Sequence, residues 1–255
     1  MPKVAIVAAI EREVRALVKN WARIEREHQG RSFVFFEQND VIVVCGGIGL
    51  ESARRAAEAV IALYQPALLQ SVGFAGALDA ALRVGDIVAP SVVIDARDGS
   101  RTPLDSEGGT LVTFMAVADA GQKTRLSQAY GACAVDMEAA AVAAAARAHG
   151  IAFGVIKVIS DELDFEMPEM ARFIGTDGRF KSASFIRFAA PRLWLWKRVA
   201  TLARNSNQAA RALAERLAIV STPILEELKQ STGPAAGCTA APAARVNGLR
   251  AEGQK

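Results

Sequence analysis

Ala134-Val-Asp-Met-Glu-Ala139 is followed after a short interval by Val158-Ile-Ser-Asp161, and these two stretches decide how the chain is read. From Ala139 to Arg147 the sequence is alanine-rich, and it ends at His149-Gly150. A glycine after the last periodic residue, with Arg and His in the final turn, predicts a helix C-terminus there. Phe153-Gly-Val-Ile-Lys-Val-Ile159 is short and β-branched, which predicts a buried strand. Glu138 therefore opens a helix, and Asp161 stands just past the carboxyl end of the next strand. Ligands of open α/β sheets bind outside those carboxyl ends. Two acids fall where a small-molecule site is expected.

Each acid also has a plainer role. Carboxylates are favoured at helix N-termini by the helix dipole and the free N–H groups, so Glu138 by itself reads as a cap. Met137 by itself reads as core packing.

Working outward, Lys3–Ala8 reads as a first strand and Glu11–Trp21 as a helix, with Val14, Leu17, Val18 and Trp21 on one face. Glu13 falls in the first turn of that helix. Arg31–Phe36 and Asp40–Cys45 form a predicted hairpin about Gln38-Asn-Asp40. Gly46-Gly-Ile-Gly49 then leads into a helix from about Glu51 to Tyr64, a strand-to-helix turn suited to an anion or a ribose edge. The glycine spacing is not that of a dinucleotide fingerprint. Leu68–Val72 is the next buried strand, running into a turn at Gly73-Phe-Ala-Gly76, and Leu82-Arg-Val-Gly-Asp-Ile-Val88 follows. Asp95–Pro103 is short and polar and reads as an exposed loop. Leu111–Ala116 is a predicted strand and Ala120–Tyr130 a helix. Asp164, past Asp161, reads as a helix cap.

Composition narrows the function classes. The chain has 255 residues, 51% of them hydrophobic, which suits one domain with one sizeable core. A net charge of +3 makes no case for nucleic acid. Cys45, Cys133 and Cys238 have no CxxC spacing, so neither a metal site nor a disulfide framework is expected, and a cytoplasmic setting is. No cofactor is called for, no signal peptide is expected, and no apolar run reaches bilayer length. With His28 and His149 the only histidines, the chemistry rests on carboxylates and backbone groups.

Val-Asp-Met-Glu-Ala with Ile-Ser-Asp, preceded by Gly73-Phe-Ala-Gly76 and Val-Gly-Asp-Ile-Val, resembles the nucleoside phosphorylase and nucleosidase superfamily. The similarity covers Lys3 to about Phe165. The methylthioadenosine/S-adenosylhomocysteine nucleosidases and the hopanoid-associated phosphorylases are the nearest branches. The resemblance implies an α/β fold, a three-layer α/β/α sandwich around a mixed, partly barrelled sheet, assembled as a homodimer or larger homo-oligomer. It implies cleavage of a purine N-ribosidic bond, by hydrolysis of a 5′-substituted adenosine to release adenine. A lipid-linked adenosine such as adenosylhopane is the alternative, and a non-catalytic nucleoside-binding protein the alternative outside enzymes. Under the resemblance Glu13 activates water and Asp161 protonates the leaving purine. Glu138 grips the ribose hydroxyls over Met137. Ser160, Gly73, Phe74, Val117 and Ala118 complete the substrate site, with Met115–Ala118 bordering the base. Phe74 stands where the family usually has Ser or Thr, which speaks against phosphate. Arg54 and Arg55 are the cations left to recruit for it.

The short Asp95–Pro103 loop lacks the longer relatives' insert, so the cavity is expected to be open at the 5′ end. One domain is expected over 1–230, with C-terminal helices from about 191, and a disordered tail over 231–255. The stretch 191–204 interleaves Arg192, Lys197, Arg198 and Arg204 with Leu193, Trp194 and Trp196. It covers the sheet edge or, in the sharper reading, makes peripheral contact with anionic lipid.

Overall fold

The computed structural model describes residues 3–166 and 169–231, with side chains as far as residue 218. The elements run β1 (Val4–Ala8), α1 (Glu11–Val18), β2 (Ala22–His28), β3 (Arg31–Gln38), β4 (Val41–Cys45), α2 (Leu50–Tyr64), β5 (Leu68–Ala77), β6 (Ile87–Val88) and β7 (Pro90–Asp95). There follow β8 (Arg101–Pro103), β9 (Gly108–Thr113), α3 (Ala120–Tyr130), β10 (Ala132–Asp136), α4 (Ala139–Ala148), β11 (Ala152–Asp161), α5 (Ser182–Ala189) and α6 (Leu193–Ser231). A 3-10 turn lies at Ala171–Phe173.

The strands form one mixed sheet, in the order β2-β3-β4-β1-β5-β10-β9-β7-β8, with β11 branching from β5 and β6 pairing with β11. β5 is the pivot. Its first half pairs parallel with β1, its last residues pair antiparallel with β10, and β11 runs parallel along it from Leu68 to Gly76. A strand with three partners curls the sheet on itself, which gives the partly barrelled form.

Strand periodicity sorts the layers. Ala5 and Val7 face α2 and α4, packed with Ala53, Ala57, Val60, Val142 and Ala146. Ile6 and Ala8 face the other way, onto Val14 and Val18 of α1 and Ala209, Leu213 and Leu217 of α6. Helix, sheet and helix make the expected sandwich.

Several expectations are corrected. Helix α1 stops at Val18, and the residues after it form β2, whose alternation of charged residues hid an edge strand. Gly73–Gly76 is no turn but part of the second half of β5. The polar stretch 95–103 is a tight β7–β8 hairpin in which Arg97 pairs with Asp95. No helix opens at Asp164, which sits in a turn closed by the Phe165 N–H donating to the Glu162 carbonyl. The C-terminal helices begin at Ser182, earlier than 191. The expected tail, past Ser231, lies outside the described residues.

Candidate active site

The carboxyl ends of β1, β5, β10 and β11 converge on one cavity of about 710 Å³. Glu13, Phe74, Val117, Ala118, Met137, Glu138, Ser160 and Asp161 all line it. Gly73 does not line it but lies against it, because a Cβ there would stand 2.9 Å from Glu13 Oε1. Its glycine is what lets the Glu13 carboxylate rest on β5. Gly76 does the same for the other acid, since a Cβ there would stand 2.9 Å from Asp161 Oδ2. Met115 is 67% exposed and stays off the wall, while Ala116 lines it.

Glu13 is buried in the first turn of α1. Its Oε2 accepts from the Ala9 N–H at 3.0 Å and the Ile10 N–H at 3.1 Å, and Oε1 accepts from the Phe74 N–H at 3.0 Å. Burial raises its pKa, against the pull of these amides and of Lys157. A carboxylate has about four acceptor positions, so about one is left for another donor.

Glu138 holds the N-cap position of α4 without capping it. The cap is supplied by Asp136, whose Oδ2 accepts from the Ala139 N–H at 2.8 Å, and by Thr113 Oγ1, which accepts from the Ala140 N–H at 3.0 Å. Glu138 is thereby released toward the cavity. Its Oε1 accepts from the Gly49 N–H at 2.9 Å and Oε2 from the Met137 N–H at 3.2 Å, leaving about two acceptor positions. Burial pushes its pKa up to about 7; Lys157 opposes the rise, and Asp136 and Glu13 add to it. The amide that Gly46–Gly49 was expected to offer an anion is taken by this carboxylate.

Asp161 ends β11. The register slips between Ile159 and Asp161, a bulge that turns Ser160 and Asp161 into the cavity. Ser160 Oγ donates to Asp161 Oδ1 at 2.7 Å, and Lys123 Nζ to Oδ2 at 2.5 Å.

Sequence reasoning missed the two lysines. Lys157, buried, bonds Asp136 Oδ2 at 2.8 Å and stands 4.0 Å from Glu138 Oε2. Burial would lower its pKa, but Asp136 and Glu138 outweigh that and raise it. The signal for Lys157 was a single charge inside Val-Ile-Lys-Val-Ile. Lys123 gave none, being one polar residue in a polar helix. Arg54 and Arg55, the cations weighed for phosphate, are bound to Glu51 and Glu58 on the surface. Further lining comes from Met170, Ile174, Gly178, Phe180 and Ser182, with Leu202 and Ser206 of α6. Here the chain closes on itself: the Ile48 N–H donates to the Gly178 carbonyl at 2.8 Å, and Arg31 to the Asp177 carbonyl at 2.8 Å. Residues from the 170–182 stretch thus add to the lining of the cavity.

Among proteins of known kind, a 5′-methylthioadenosine/S-adenosylhomocysteine nucleosidase of Buchnera aphidicola is 31% identical over 91 residues. That match spans 34% of this chain and only 39% of the relative's length. The crystal structure of the Neisseria meningitidis enzyme of the same name, in complex with methylthio-immucillin-A, superposes with a TM-score of 0.64 at 19% identity. It covers 86% of this chain and 97% of that one. Futalosine hydrolase of Helicobacter pylori superposes at 0.57 with 17% identity, over 83% of this chain and 95% of its own. At such identities these likenesses show the fold alone, and the fold carries more than one substrate. The sequence matches the Phosphorylase superfamily over residues 3–121 and 106–185, and the chain belongs to that family.

Proposed function

We propose that the chain hydrolyses the N-ribosidic bond of a purine nucleoside, a 5′-substituted adenosine of the methylthioadenosine or S-adenosylhomocysteine type, and releases adenine. One observation carries this reading: three buried carboxylates, Glu13, Glu138 and Asp161, face a single cavity with acceptor positions unfilled. The two positions left on Glu138 match the ribose 2′- and 3′-hydroxyls, and Met137 lies under the sugar. The one left on Glu13 takes the attacking water, and its raised pKa suits a base. Asp161 faces the purine and protonates it as the bond breaks, a step that typically contributes ~10²–10⁴-fold. Val117 and Ala118 border the base, and Phe74 offers its N–H to Glu13 rather than a hydroxyl to phosphate. The test is adenine release from methylthioadenosine with and without phosphate. Release without phosphate, with free methylthioribose as co-product, supports hydrolysis. Strict dependence on phosphate, or tight binding with no turnover, overturns it.

A second reading concerns the 5′ group. Helix α6 lines the cavity with Leu202 and Ser206, and at its start it exposes Leu193, Trp194 and Trp196 beside Ile186 of α5. We assign this exposed apolar face to a second copy of the chain, in a homo-oligomer working in the cytoplasm. A monomer in light scattering that binds anionic vesicles would reassign the face to lipid. A rise in kcat/KM with the length of a 5′-alkyl series, at ~0.8 kcal/mol per buried methylene, would then favour the lipid-linked substrate.

A further inference from the structure

Lys123 has no part in the assignment above, and its placement calls for one. It comes from α3, whose start is fixed by Asp119: the Asp119 carboxylate accepts from the Gln122 N–H, and the Gln122 side chain accepts from the Asp119 N–H. That box directs the next residue, Lys123, inward. Its side chain is 1% exposed, and the ammonium donates to Asp161 Oδ2 and, at 2.5 Å, to the Glu162 carbonyl. Asp161 Oδ1 is held by Ser160. Gly76 makes the room, since a Cβ there would meet Lys123 Cε at 3.1 Å as well as Asp161 Oδ2. Lys123 and Asp161 both line the cavity. Burying an ammonium is costly unless it is paired and hydrogen-bonded, so this lysine is a committed feature of the site rather than a solvated face.

We propose that Lys123 and Asp161 work as one proton-donating dyad for the leaving base, with Lys123 the positioning residue that loads the proton and Asp161 the group that delivers it. The proposal rests on the nucleoside-cleaving reading. In the step, the bond between C1′ and N9 breaks and its electron pair goes to the purine. A proton passes from Lys123 Nζ to Asp161 Oδ2 and from there to the purine N7. The water oxygen bonds C1′ while Glu13 takes its proton. Lys123, left as the neutral amine, is reprotonated from solvent, and Glu13 returns its proton there, so the net change is the addition of one water. The ammonium also fixes which carboxylate oxygen meets the base, because the other is tied to Ser160.

The experiment compares two substrates and a cycle of variants. Adenine must be protonated to leave methylthioadenosine, whereas the nitrophenolate of 4-nitrophenyl β-D-ribofuranoside leaves as an anion. Lys123→Met is expected to lower kcat on methylthioadenosine by ~10²-fold with KM little changed, and to leave the nitrophenyl riboside within about threefold. A parallel fall on both substrates would mean a structural lysine and would overturn the dyad. So would wild-type turnover of methylthioadenosine in Lys123→Met. If that variant fails to fold because Asp161 is left unpaired, the double variant Lys123→Met/Asp161→Asn removes the charge as well. Groups that act as a unit are non-additive, so the double variant is expected to match Asp161→Asn on methylthioadenosine. A further loss of about tenfold or more would show independent roles and overturn the proposal. If the wild type itself releases no adenine, the nucleosidase reading has failed and the dyad falls with it, an outcome visible before any variant is made.

Discussion

The two ends of the cavity use the same materials in opposite proportion. At one end Glu13, Asp136 and Glu138 gather about the single ammonium of Lys157. At the other, the ammonium of Lys123 pairs with the carboxylate of Asp161 and also meets the Glu162 carbonyl. One end is rich in anions and the other is balanced. Cleavage of a ribosidic bond builds positive charge on the sugar and negative charge on the base, and preorganised charges of opposite sign are usually the largest contribution to catalysis. Acids alone do not mark out such a site. Under the proposed reading, the sugar end and the leaving-group end differ in how many acids share a cation.

The severest way to break the contrast is to remove the shared cation. Lys157→Met leaves Asp136 and Glu138 buried beside one another without it, and breaking a buried ion pair costs ~3–5 kcal/mol. Denaturant unfolding is expected to show a loss of that size. Lys123→Met strands only Asp161, which keeps Ser160, and the expected loss is smaller. Equal losses would mean that the two ends do not differ energetically.

The next largest effects are kinetic. Glu13→Gln and Asp161→Asn should each lower kcat on methylthioadenosine by at least ~10²-fold. They part on 4-nitrophenyl β-D-ribofuranoside: a substitution at the water-activating end should cut turnover there too, and one at the leaving-group end should not. If Asp161→Asn is as damaging on that substrate, Asp161 is not serving the base. Glu138→Ala comes third. Losing hydrogen bonds to the ribose hydroxyls should cost ~1–3 kcal/mol in kcat/KM, and a 2′-deoxynucleoside should show the deficit in the wild type. A variant that cleaves ribosides as well as its parent would reduce Glu138 to a structural residue.

Much of this was legible in the sequence, and the exceptions have physical causes. Local patterning was enough for α2, α3, α4, β1, β4 and β11, where periodicity and end signals agree. It failed at β2, whose residues are charged and alternate weakly, and at Gly73–Gly76, where two glycines were read as turn chemistry. Those glycines serve close approach instead, and no local rule separates the two uses. Of the site, Glu13, Glu138 and Asp161 were found because they stand at element ends within recognisable wording. Asp136 lay inside that wording too, yet its capping role went unread because it falls three residues before the helix it caps. Lys123 is brought to Asp161 by tertiary structure alone, from 38 positions away, and pairwise sequence spacing carries no trace of that.

A further effect locates the charge imbalance without any substrate. The folded-state pKa of Glu138 is raised from 4.5 to about 7, first by burial and then by Asp136 and Glu13, with Lys157 opposing. That of Glu13 is raised as well, by burial. Between pH 4.5 and about 7 the folded protein therefore holds protons that the unfolded chain has released. Stability falls with rising pH wherever the native state binds more protons, so the contribution is complete below pH 4.5 and is lost as the pH passes about 7. Each such group contributes a slope of at most about 1.4 kcal/mol per pH unit, less where a neighbour shares the proton. Unfolding free energies measured from pH 5 to 8 are expected to decline, and Glu138→Gln is expected to flatten the decline by removing one of the groups. Occupying the site should flatten it as well, because ribose hydroxyls donate to the carboxylate form. A wild-type slope kept in full by Glu138→Gln would place the excess of anions elsewhere than at the sugar end.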